Sequence, residues 1–515
     1  MCGILCVLGT TLVTQGTLKH RGPDATRVLH VGQCTMEFSR LAINDLSEEG
    51  MQPFMSEESP DGLSPAGSTR ALVCNGEIYN HKEFSSDAND CACLLPLIEK
   101  VGIMEASKRI HGVFAMCYTD GTKVLASRDP LGVRPLFYTR MGSGKIAFAS
   151  EVKALLQFGT RVEIFPPGHV YDSSVDLFTC WYPCYWDLPT MKTAPPLTLI
   201  RDTFKKAVQM RIQNSDRALG CLLSGGLDSS LVVAVAQEFL PGQRLKTFSI
   251  GTHADAPDIK AARVVAQHFN TDHTEVLFTV EEGLSVLNQV VESLESYDTT
   301  TVRASVPMWI LARWIAKNTD CKVILSGEGS DELFGGYLYF HNAPNVNDFS
   351  KECGRRLRLI HQFDGLRADR CMAAHGLELR VPFLDKHVVH LGMSMDQEFK
   401  ISKPEKKILR DAFAGHLPDE ILWRQKNGMS DAVGYNWVDA VKDFANGCFT
   451  SDDFLTTCHI ARDHNKPISL EEAMYRNMFW KRFGQRHDHL ISEIWRPKWT
   501  TVMDPSARQL SVFEE

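Results

Sequence analysis

The sequence lacks the features that would direct it to a membrane or to a nucleic acid. No apolar run is long enough to span a bilayer, and the apolar start MCGILCVLG has no basic flank or small-residue cleavage pattern of a signal peptide. An excess of positive charge is also missing, because the formal net charge is -8 at pH 7. We therefore expect a soluble, cytoplasmic protein that binds neither membranes nor nucleic acid.

The sequence also lacks the paired CxxC motifs of zinc sites, although it contains 15 cysteines. Their odd number and scattered positions favour reduced thiols. The closest groupings are Cys91 with Cys93 and Cys180 with Cys184, and for both we favour buried apolar thiols over metal ligands. Cysteine therefore predicts no metal site.

A chain of 515 residues exceeds what one hydrophobic core usually supports, so we expect at least two domains. Short β-rich runs at 71–74, 113–118 and 145–149 predict an antiparallel α+β domain over residues 2–180. Residues 181–200 combine prolines with aromatics and are interpreted as a linker. Over residues 201–515, strand-like runs alternate with helical patterns, which predicts a doubly wound α/β domain with a parallel sheet.

The second domain contains a candidate phosphate loop. A strand-like run at 218–223 leads into SGGLDSS (224–230) and then a helical run. Gly225 and Gly226 let backbone amides approach a ligand, while Ser224 and Ser229 add hydroxyl donors, so the loop suits a pyrophosphate. The Gly-Lys-Ser/Thr ending of a Walker A loop is absent, and Asp228 would repel phosphate unless Mg²⁺ intervenes. The alternative is a capped helix after a glycine turn.

A second acidic glycine-rich stretch, SGEGSDE (326–332), follows the strand-like run at 322–325. Loops at the carboxyl ends of parallel strands face one crevice, so Asp331 could share Mg²⁺ with Asp228. Glu328 could serve as a base. Solvated turn acids are the alternative for both Asp331 and Glu328.

These residues resemble a known family. SGGLDSS is similar to the pyrophosphate loop of N-type ATP pyrophosphatases, and four further motifs resemble the synthetase domain of class B asparagine synthetases. They are SGEGSDELFGGY (326–337), DTTTVRAS (298–305), GLELRVPFLD (376–385) and WRQK (423–426). The resemblance implies cleavage of ATP to AMP and pyrophosphate, with AMP placed on the side-chain carboxylate of aspartate.

The resemblance also implies roles for single residues. Glu328 would take the proton from ammonia as it attacks the aspartyl adenylate, and Lys426 would stabilise the charged phosphorus centre. For Arg303 alone, a surface cation or helix-start residue is an equally good interpretation, but within this block of matching motifs we favour the functional one. The residues implied beside the nucleotide are Leu223, Ile250, Ser326 and Gly327, and those implied beside aspartate and the AMP intermediate are Thr300, Thr301 and Arg303. Residues 427–429 depart from the expected pattern, which is more polar or bulkier.

At the amino terminus, Cys2 is a candidate nucleophile. Once Met1 is removed, the α-amine of Cys2 could accept the thiol proton, because its unperturbed pKa is about 7.7 to 8. Taken alone, Cys2 is more typical of an ordinary buried strand than of a catalytic nucleophile. Cys2 therefore indicates catalysis only if residues that could bind a substrate occur in the same domain.

Residues that could bind a substrate beside Cys2 do occur in the same domain. A glutamine substrate needs a cation for its α-carboxylate, which Arg40 can supply, and acids for its α-ammonium, which Glu77 and Asp90 can supply. Asn75 through its side chain, and Gly76 through its backbone N–H, can form an oxyanion hole. By itself, Asn-Gly is more typical of a β-turn.

This half of the chain resembles the class II glutamine amidotransferase domain, an N-terminal-nucleophile (Ntn hydrolase) fold with αββα layers. HRGPD (20–24) and SRDPLGVRPLFY (127–138) match it as well. The resemblance places the backbone of Leu41, Ile43 and Asn44 along the glutamine. Two departures concern Asp90: the chain between Tyr79 and Asp90 is about ten residues shorter than in the bacterial relatives, and Ala92 stands where an acid is usual.

Together the resemblances predict a ligase that makes asparagine from aspartate, ATP and glutamine, with Mg²⁺ and with a dry passage for ammonia between Cys2 and Glu328. One alternative is amidation of a different carboxylate, and another is a noncatalytic scaffold that binds nucleotide as a sensor. A homodimer is one assembly compatible with the chain, which the sequence does not decide.

Overall fold

The computed structural model describes residues 1–10, 13–56, 69–142, 145–182, 191, 193–426, 433–434, 436–501 and 504. The chain divides into two compact units. Unit 1 comprises Met1–Pro183, Asn214–Arg217 and Met372–Glu378, and unit 2 comprises Cys184–Gln213, Ala218–Cys371 and Leu379–Glu515. The predicted linker at 181–200 overlaps the first helix of unit 2, which begins at Leu197. Two prolines of that linker, Pro183 and Pro189, lie outside the described residues.

Unit 1 contains two antiparallel six-stranded sheets, one in the order β10-β8-β9-β1-β3-β2 and the other in the order β12-β11-β7-β6-β5-β4. The strands are β1 (Gly3–Leu8), β2 (Ala25–Val31), β3 (Cys34–Arg40), β4 (Phe54–Ser56), β5 (Arg70–Ile78), β6 (Gly112–Thr119), β7 (Val124–Arg128), β8 (Phe137–Gly142), β9 (Lys145–Ala149), β10 (Val162–Ile164), β11 (His169–Asp172) and β12 (Leu177–Cys180).

Alternation along the strands places one core between the two sheets and another on the outer face of the second sheet. Ile4, Met36 and Phe38 from the first sheet share a buried cluster with Val73 and Ala115 from the second. The opposite faces of β5 and β6 pack against helices α1 (Leu94–Val101) and α2 (Ile103–Arg109). Helix α3 (Val152–Leu155) follows β9. The predicted layered Ntn architecture is confirmed.

Unit 2 is built on a five-stranded sheet in the order β15-β14-β13-β16-β17. Strand β13 pairs in parallel with β14 and β16, and β14 pairs in parallel with β15. The strands are β13 (Leu219–Leu222), β14 (Lys246–Gly251), β15 (Asp272–Leu277), β16 (Val323–Leu325) and β17 (Glu378–Arg380). The parallel sheet predicted from the alternating strand and helix patterns is therefore confirmed.

Helices connect and follow these strands. They are α4 (Leu197–Gln213), α5 (Leu227–Glu238), α6 (Pro257–His268), α7 (Val280–Ser285), α8 (Leu287–Leu294), α9 (Thr299–Asn318), α10 (Ser330–Phe334), α11 (Val346–Arg358), α12 (Asp364–Ala373), α13 (Lys386–Ser394), α14 (Lys407–Ala412), α15 (Asp419–Leu422), α16 (Asn436–Cys448), α17 (Ser451–Ala461) and α18 (Leu470–Phe483).

The cysteine prediction is partly wrong. Cys91 and Cys93 are buried thiols, as predicted, but Cys180 is exposed at the end of β12, and its partner Cys184 lies outside the described residues. In the described part of the chain, no helix combines the length and apolar character that crossing a bilayer would require.

Candidate active sites

One pocket in unit 1 gathers the predicted nucleophile and every predicted glutamine-binding residue. Strands β3 and β5, the loop after β3 and a short 3-10 helix at Asp90–Cys93 supply the lining. The predicted residues that line it are Cys2, Arg40, Leu41, Ile43, Asn44, Asn75, Gly76, Glu77 and Asp90. Asp90 joins the pocket despite the shortened segment before it.

The Cys2 thiol lies at the start of β1, against the backbone of Leu41. Its Sγ is 3.4 Å from the backbone nitrogen of Leu41 and 3.6 Å from the carbonyl oxygen of the same residue. Burial raises the pKa of the thiol to about 11, although the nearby amino terminus lowers it. Burial also lowers the pKa of the Met1 amine to about 6. The thiol therefore needs a nearby base to become a nucleophile at neutral pH.

Asn75 and Gly76 lie inside strand β5, so the turn considered for Asn-Gly is wrong. Gly76 pairs with Phe114 of β6, and Asn75 pairs with Ala115. The side-chain nitrogen of Asn75 is buried and has no hydrogen-bond partner among the described residues. A buried amide donor without a partner costs free energy, so this atom is suited to a ligand oxygen.

The acids of the pocket are joined by one amide. The side-chain nitrogen of Asn44 donates to Glu77 Oε2 and to Asp90 Oδ1, at 3.1 Å each. Asp90 also accepts from the backbone nitrogen of Ile78 at 2.6 Å. Arg40 is fixed differently, because its guanidinium donates to backbone carbonyls, including that of Ser47 at 2.7 Å. Two acids and one cation are thus held in place along a single pocket.

Arg21 holds the nucleophile in place, a role that the sequence reasoning missed. Its Nε donates to the carbonyl oxygen of Cys2 at 2.9 Å, and its Nη1 donates to Glu151 at 2.8 Å. Asp24 of the same motif accepts from the backbone nitrogen of Ala42 at 2.8 Å. Both residues belong to the motif HRGPD (20–24), which matched the amidotransferase domain but did not by itself indicate this role.

A larger cavity in unit 2 lies at the carboxyl ends of β13 and β16. It brings together the glycine loop after β13, the acidic loop after β16, the start of α9 and the segment before residue 427. The predicted residues that line it are Ser224, Gly226, Asp228, Ser229, Thr300, Ser326, Gly327, Glu328, Asp331 and Lys426.

The glycine loop is folded by its own side chains. The Ser224 and Ser229 hydroxyl oxygens lie 3.1 Å apart, and the Gly226 nitrogen donates to Ser224 Oγ at 3.3 Å. Gly225 has a φ of +70°, and a Cβ there would lie 2.3 Å from the carbonyl carbon of Ala261. Only glycine fits this position, after which the chain enters α5, whose first residues line the cavity.

The two loops meet at Asp228 and Asp331. A Cβ on Gly327 would lie 2.8 Å from Asp228, so the loops are in close contact. The ammonium group of Lys406 lies 2.6 Å from Asp228 Oδ2 and 2.6 Å from Asp331 Oδ1. Lys426 contacts the second oxygen of Asp331 at 2.6 Å. One cation therefore already lies between the two carboxylates predicted to bind Mg²⁺.

These contacts control the charges of the site. Burial by itself raises the pKa of Asp331, but the ammonium groups of Lys406 and Lys426 outweigh it and hold that pKa well below its usual range. Burial lowers the pKa of Lys426, but Asp331 and Asp228 outweigh it and raise that pKa. Convergence of two carboxylates on one cation is a donor set that fits Mg²⁺.

Glu328 lies at another part of the cavity. Its Oε2 accepts from Arg367 Nη2 at 2.8 Å, and Arg367 Nη1 lies 2.6 Å from Asp364 Oδ1. Burial raises the pKa of Glu328, Arg367 opposes that effect, and Asp364 adds to it, so the net pKa lies above its usual value. A raised pKa suits a carboxylate that accepts a proton near neutral pH.

Several predicted residues do not line the cavity. The described lining residues do not include Leu223, Gly225 or Ile250. Leu223, which follows β13, and Ile250, in β14, are buried. The hydroxyl of Thr301 donates to Asp298 Oδ2 at 2.7 Å, and Asp298 caps helix α9 by accepting from the Thr301 backbone nitrogen.

The contact of Arg303 with aspartate stays a prediction, and in this structure Arg303 has other partners. Its guanidinium is buried against Glu471, with Nε donating at 2.7 Å, and against Asp504, with Nη1 donating at 3.0 Å. Two carboxylates therefore satisfy Arg303 outside the lining of the cavity. The alternative interpretation as a surface cation is wrong, since Arg303 is buried.

Several charged residues that line the cavity were not predicted from the sequence, among them Lys406, Arg367 and Asp364. Lys406 is part of the run PEKK (404–407), which follows no glycine turn and lies outside the motifs that predict the site. Arg367 and Asp364 are one turn apart on α12, a spacing that permits an ion pair. Their sequence neighbours gave no reason to place them beside Glu328.

Two family models match the chain. The model described as "Glutamine amidotransferase domain" matches residues 1–167, and the model described as "Asparagine synthase" matches residues 199–354 and 342–504. The fold of each unit agrees with these matches. The class is therefore that of two-unit enzymes that combine a glutamine amidotransferase with an ATP pyrophosphatase.

Curated relatives narrow the class. An asparagine synthetase [glutamine-hydrolyzing] of Triphysaria versicolor is 39% identical over 99% of this chain and 93% of its own length. An asparagine synthetase [glutamine-hydrolyzing] of Arabidopsis thaliana is 38% identical, with coverages of 99% and 94%, and a probable one of Dictyostelium discoideum is 38% identical, with coverages of 99% and 99%. The chain belongs to the family of glutamine-hydrolysing asparagine synthetases.

Proposed function

We propose that this protein synthesises L-asparagine from L-aspartate, with ATP as the source of energy and glutamine as the source of nitrogen. The products are AMP, pyrophosphate, glutamate and asparagine. The observation that carries the proposal is the gathering of all nine predicted glutaminase residues in one pocket of a chain that also has an ATP pyrophosphatase cavity. Similarity to asparagine synthetases over 99% of the chain supports aspartate as the acceptor.

In unit 1, Cys2 acts as the nucleophile on the glutamine side-chain amide once Met1 is removed. Its own α-amine then accepts the thiol proton, which the raised pKa of the thiol makes necessary. Asn75 Nδ2 and the Gly76 amide stabilise the oxyanion, while Arg40 binds the α-carboxylate. The pair Glu77 and Asp90, together with Asn44, binds the α-ammonium group.

In unit 2, the glycine loop and its serines bind the phosphates, and Lys426 stabilises negative charge at the phosphorus that is attacked. The aspartate side-chain carboxylate attacks that phosphorus, pyrophosphate leaves, and ammonia then displaces AMP. Glu328 accepts the proton that ammonia loses. Thr300 binds the acceptor in this proposal, which is supported by its place in the cavity lining and by a buried hydroxyl without a hydrogen-bond partner among the described residues.

Mg²⁺ fits Asp228 and Asp331, because the two carboxylates converge on one ammonium group. When bound, the ion would neutralise charge on the departing pyrophosphate. Lys406→Gln tests the fit: the variant should lose about 3 kcal/mol of stability, and MgCl₂ should raise its melting temperature more than that of the unchanged protein. Lys407→Gln is the control, since Lys407 pairs with Asp411 at the surface. An equal response to Mg²⁺ in all three proteins would contradict the assignment.

One reaction mixture tests the proposed function. The protein is incubated with ATP, MgCl₂, aspartate and glutamine, and AMP, pyrophosphate, glutamate and asparagine are counted together. We expect them in equal amounts. Product formation with a different carboxylic acid and none with aspartate would favour another acceptor. No pyrophosphate with any acid would favour a noncatalytic nucleotide sensor.

Two wider expectations belong with this proposal. The described cysteines are free thiols, which supports a reducing compartment such as the cytoplasm. A homodimer is the assembly we propose, and light scattering during gel filtration would test it by giving twice the mass of the chain.

A further inference from the structure

A buried arginine connects two acids of the cavity in unit 2. Arg367, on helix α12, donates from Nη2 to Glu328 Oε2 at 2.8 Å, while its Nη1 lies 2.6 Å from Asp364 Oδ1. The Arg367 side chain is 8% exposed, and each acid is 16% exposed. All three residues line the cavity, so the contact is part of the site itself.

The arginine is held from its far side. Asp364 lies one turn before Arg367 on α12, and its Oδ2 is 3.0 Å from the hydroxyl oxygen of Tyr337. The same hydroxyl is 2.6 Å from Glu332 Oε1. A guanidinium fixed by a neighbouring carboxylate has little rotational freedom, so it can fix the direction of a second carboxylate.

We propose that Arg367 is the positioning residue for Glu328: it aims the Glu328 carboxylate into the cavity and keeps it ionised until ammonia attacks. The inference rests on the proposed function, in which Glu328 accepts the proton from ammonia. Asp364 anchors Arg367 through Nη1, and this leaves Nη2 directed at Glu328.

Charges around Glu328 show why a cation is needed there. Burial raises the pKa of the Glu328 carboxyl group, and Asp364 raises it further. Arg367 and Lys426 lower it, and Arg367 has the larger effect of the two. Glu328 in turn raises the pKa of the Cys371 thiol, which is also on α12. Without Arg367, Glu328 would remain protonated to higher pH and could not accept a proton.

The test is asparagine formation from ammonium chloride, ATP and aspartate, measured across pH. Arg367→Gln should lower kcat by about 10- to 100-fold, a part of what a general base contributes. It should also shift the rising limb of the pH profile upward by about one pH unit, because the cation that favours the ionised carboxylate is lost. The KM for ATP should stay within twofold. Protonation of ammonia itself affects all proteins alike and cancels in the comparison.

Matched variants separate positioning from damage to the fold. Arg367→Lys keeps the charge and should restore the pH profile, but only part of kcat, because an ammonium group lacks the rigid fork. Asp364→Asn should give the signature of Arg367→Gln in weaker form. Arg370→Gln is the control: Arg370 is on the same helix and pairs with buried Glu295 at 2.8 Å, outside the lining of the cavity. It should leave the pH profile unchanged.

The outcomes distinguish this inference from the proposed function. If the unchanged protein makes no asparagine, the proposed function fails. If it makes asparagine and Arg367→Gln keeps its kcat and pH profile, the positioning role is wrong. If Arg367→Gln does not fold, the pair Arg367→Lys and Asp364→Asn decides the question, and unchanged pH profiles in both with an unchanged kcat would overturn the inference.

Discussion

Both cavities are suited to charged ligands, but the polar side chains of the two cavities differ in how they are paired. In unit 1 the Asn75 amide nitrogen has no hydrogen-bond partner among the described residues, so its donor is available before a ligand arrives. In unit 2, Asp228 and Asp331 are paired through Lys406, and Asp331 is also paired with Lys426. The first site is prepared by strands that fix its donors, whereas the second is balanced by ion pairs that a ligand must rearrange. A loss in one site should therefore leave the other intact.

The largest effect is expected for Cys2→Ala. It should abolish glutamate release from glutamine and spare asparagine synthesis from high ammonium, because unit 2 needs only ammonia. Cys180→Ala is the control, since Cys180 is exposed and remote in sequence from the pocket residues. Loss of both activities in Cys2→Ala would mean that the two sites are not separable.

A smaller effect is expected for Asn75→Ala. Removal of one oxyanion donor should lower glutamine hydrolysis by about 10²–10³-fold, while the ammonium-dependent reaction stays unchanged. Steady-state assays with each nitrogen source check this. Glutamine hydrolysis that stays within threefold of the original rate would mean that Asn75 does not contact the oxyanion.

Gly225→Ala should act only on unit 2. Its Cβ would lie 2.3 Å from the backbone of Ala261, so the phosphate loop must shift, and pyrophosphate formation should fall by about 10- to 100-fold. Gly242→Ala is the matched control: Gly242 has a φ of +75° but open space around it. Both changes share the backbone strain of about 1–2 kcal/mol, so only the contact differs. Equal losses in the two variants would point to strain alone.

The smallest effect on activity is expected for Arg303→Gln. Because Arg303 is buried against Glu471 and Asp504, the change should lower stability by about 3–5 kcal/mol but alter the KM for aspartate less than twofold. Thermal unfolding and aspartate titrations measure the two quantities. A KM that rises tenfold would restore the contact with aspartate expected from the sequence.

Some strands and most residues of the Cys2 pocket could be predicted from the sequence. Strand β9 falls at the predicted residues 145–149, and β5 extends the predicted run at 71–74 to Arg70–Ile78, because a short apolar run is a local signal. The Cys2 pocket was predictable because its residues belong to a few short motifs. Asn75-Gly76 was ambiguous, since the same dipeptide suits a turn until its strand partner in β6 is known.

The charges of unit 2 were less predictable, because long-range pairs decide them. Arg303 and Glu471 are 168 residues apart, and Lys406 is 178 residues from Asp228. No local pattern indicates that one arginine meets a distant carboxylate outside the cavity, or that a lysine lies between two predicted metal ligands. Residues 427–429, where the sequence departs from its relatives, lie outside the described part of the chain.

Unit 1 is not a continuous stretch of sequence, and this has a practical consequence for anyone who wishes to divide the protein. The segment Met372–Glu378 belongs to unit 1, and its Leu377 carbonyl lies 3.3 Å from the amino-terminal nitrogen. A fragment that stops near residue 183 would lack a wall of the very pocket it was meant to contain, since Glu378 is one of the lining residues. Exchange of halves between relatives therefore requires three pieces of chain to be transplanted together.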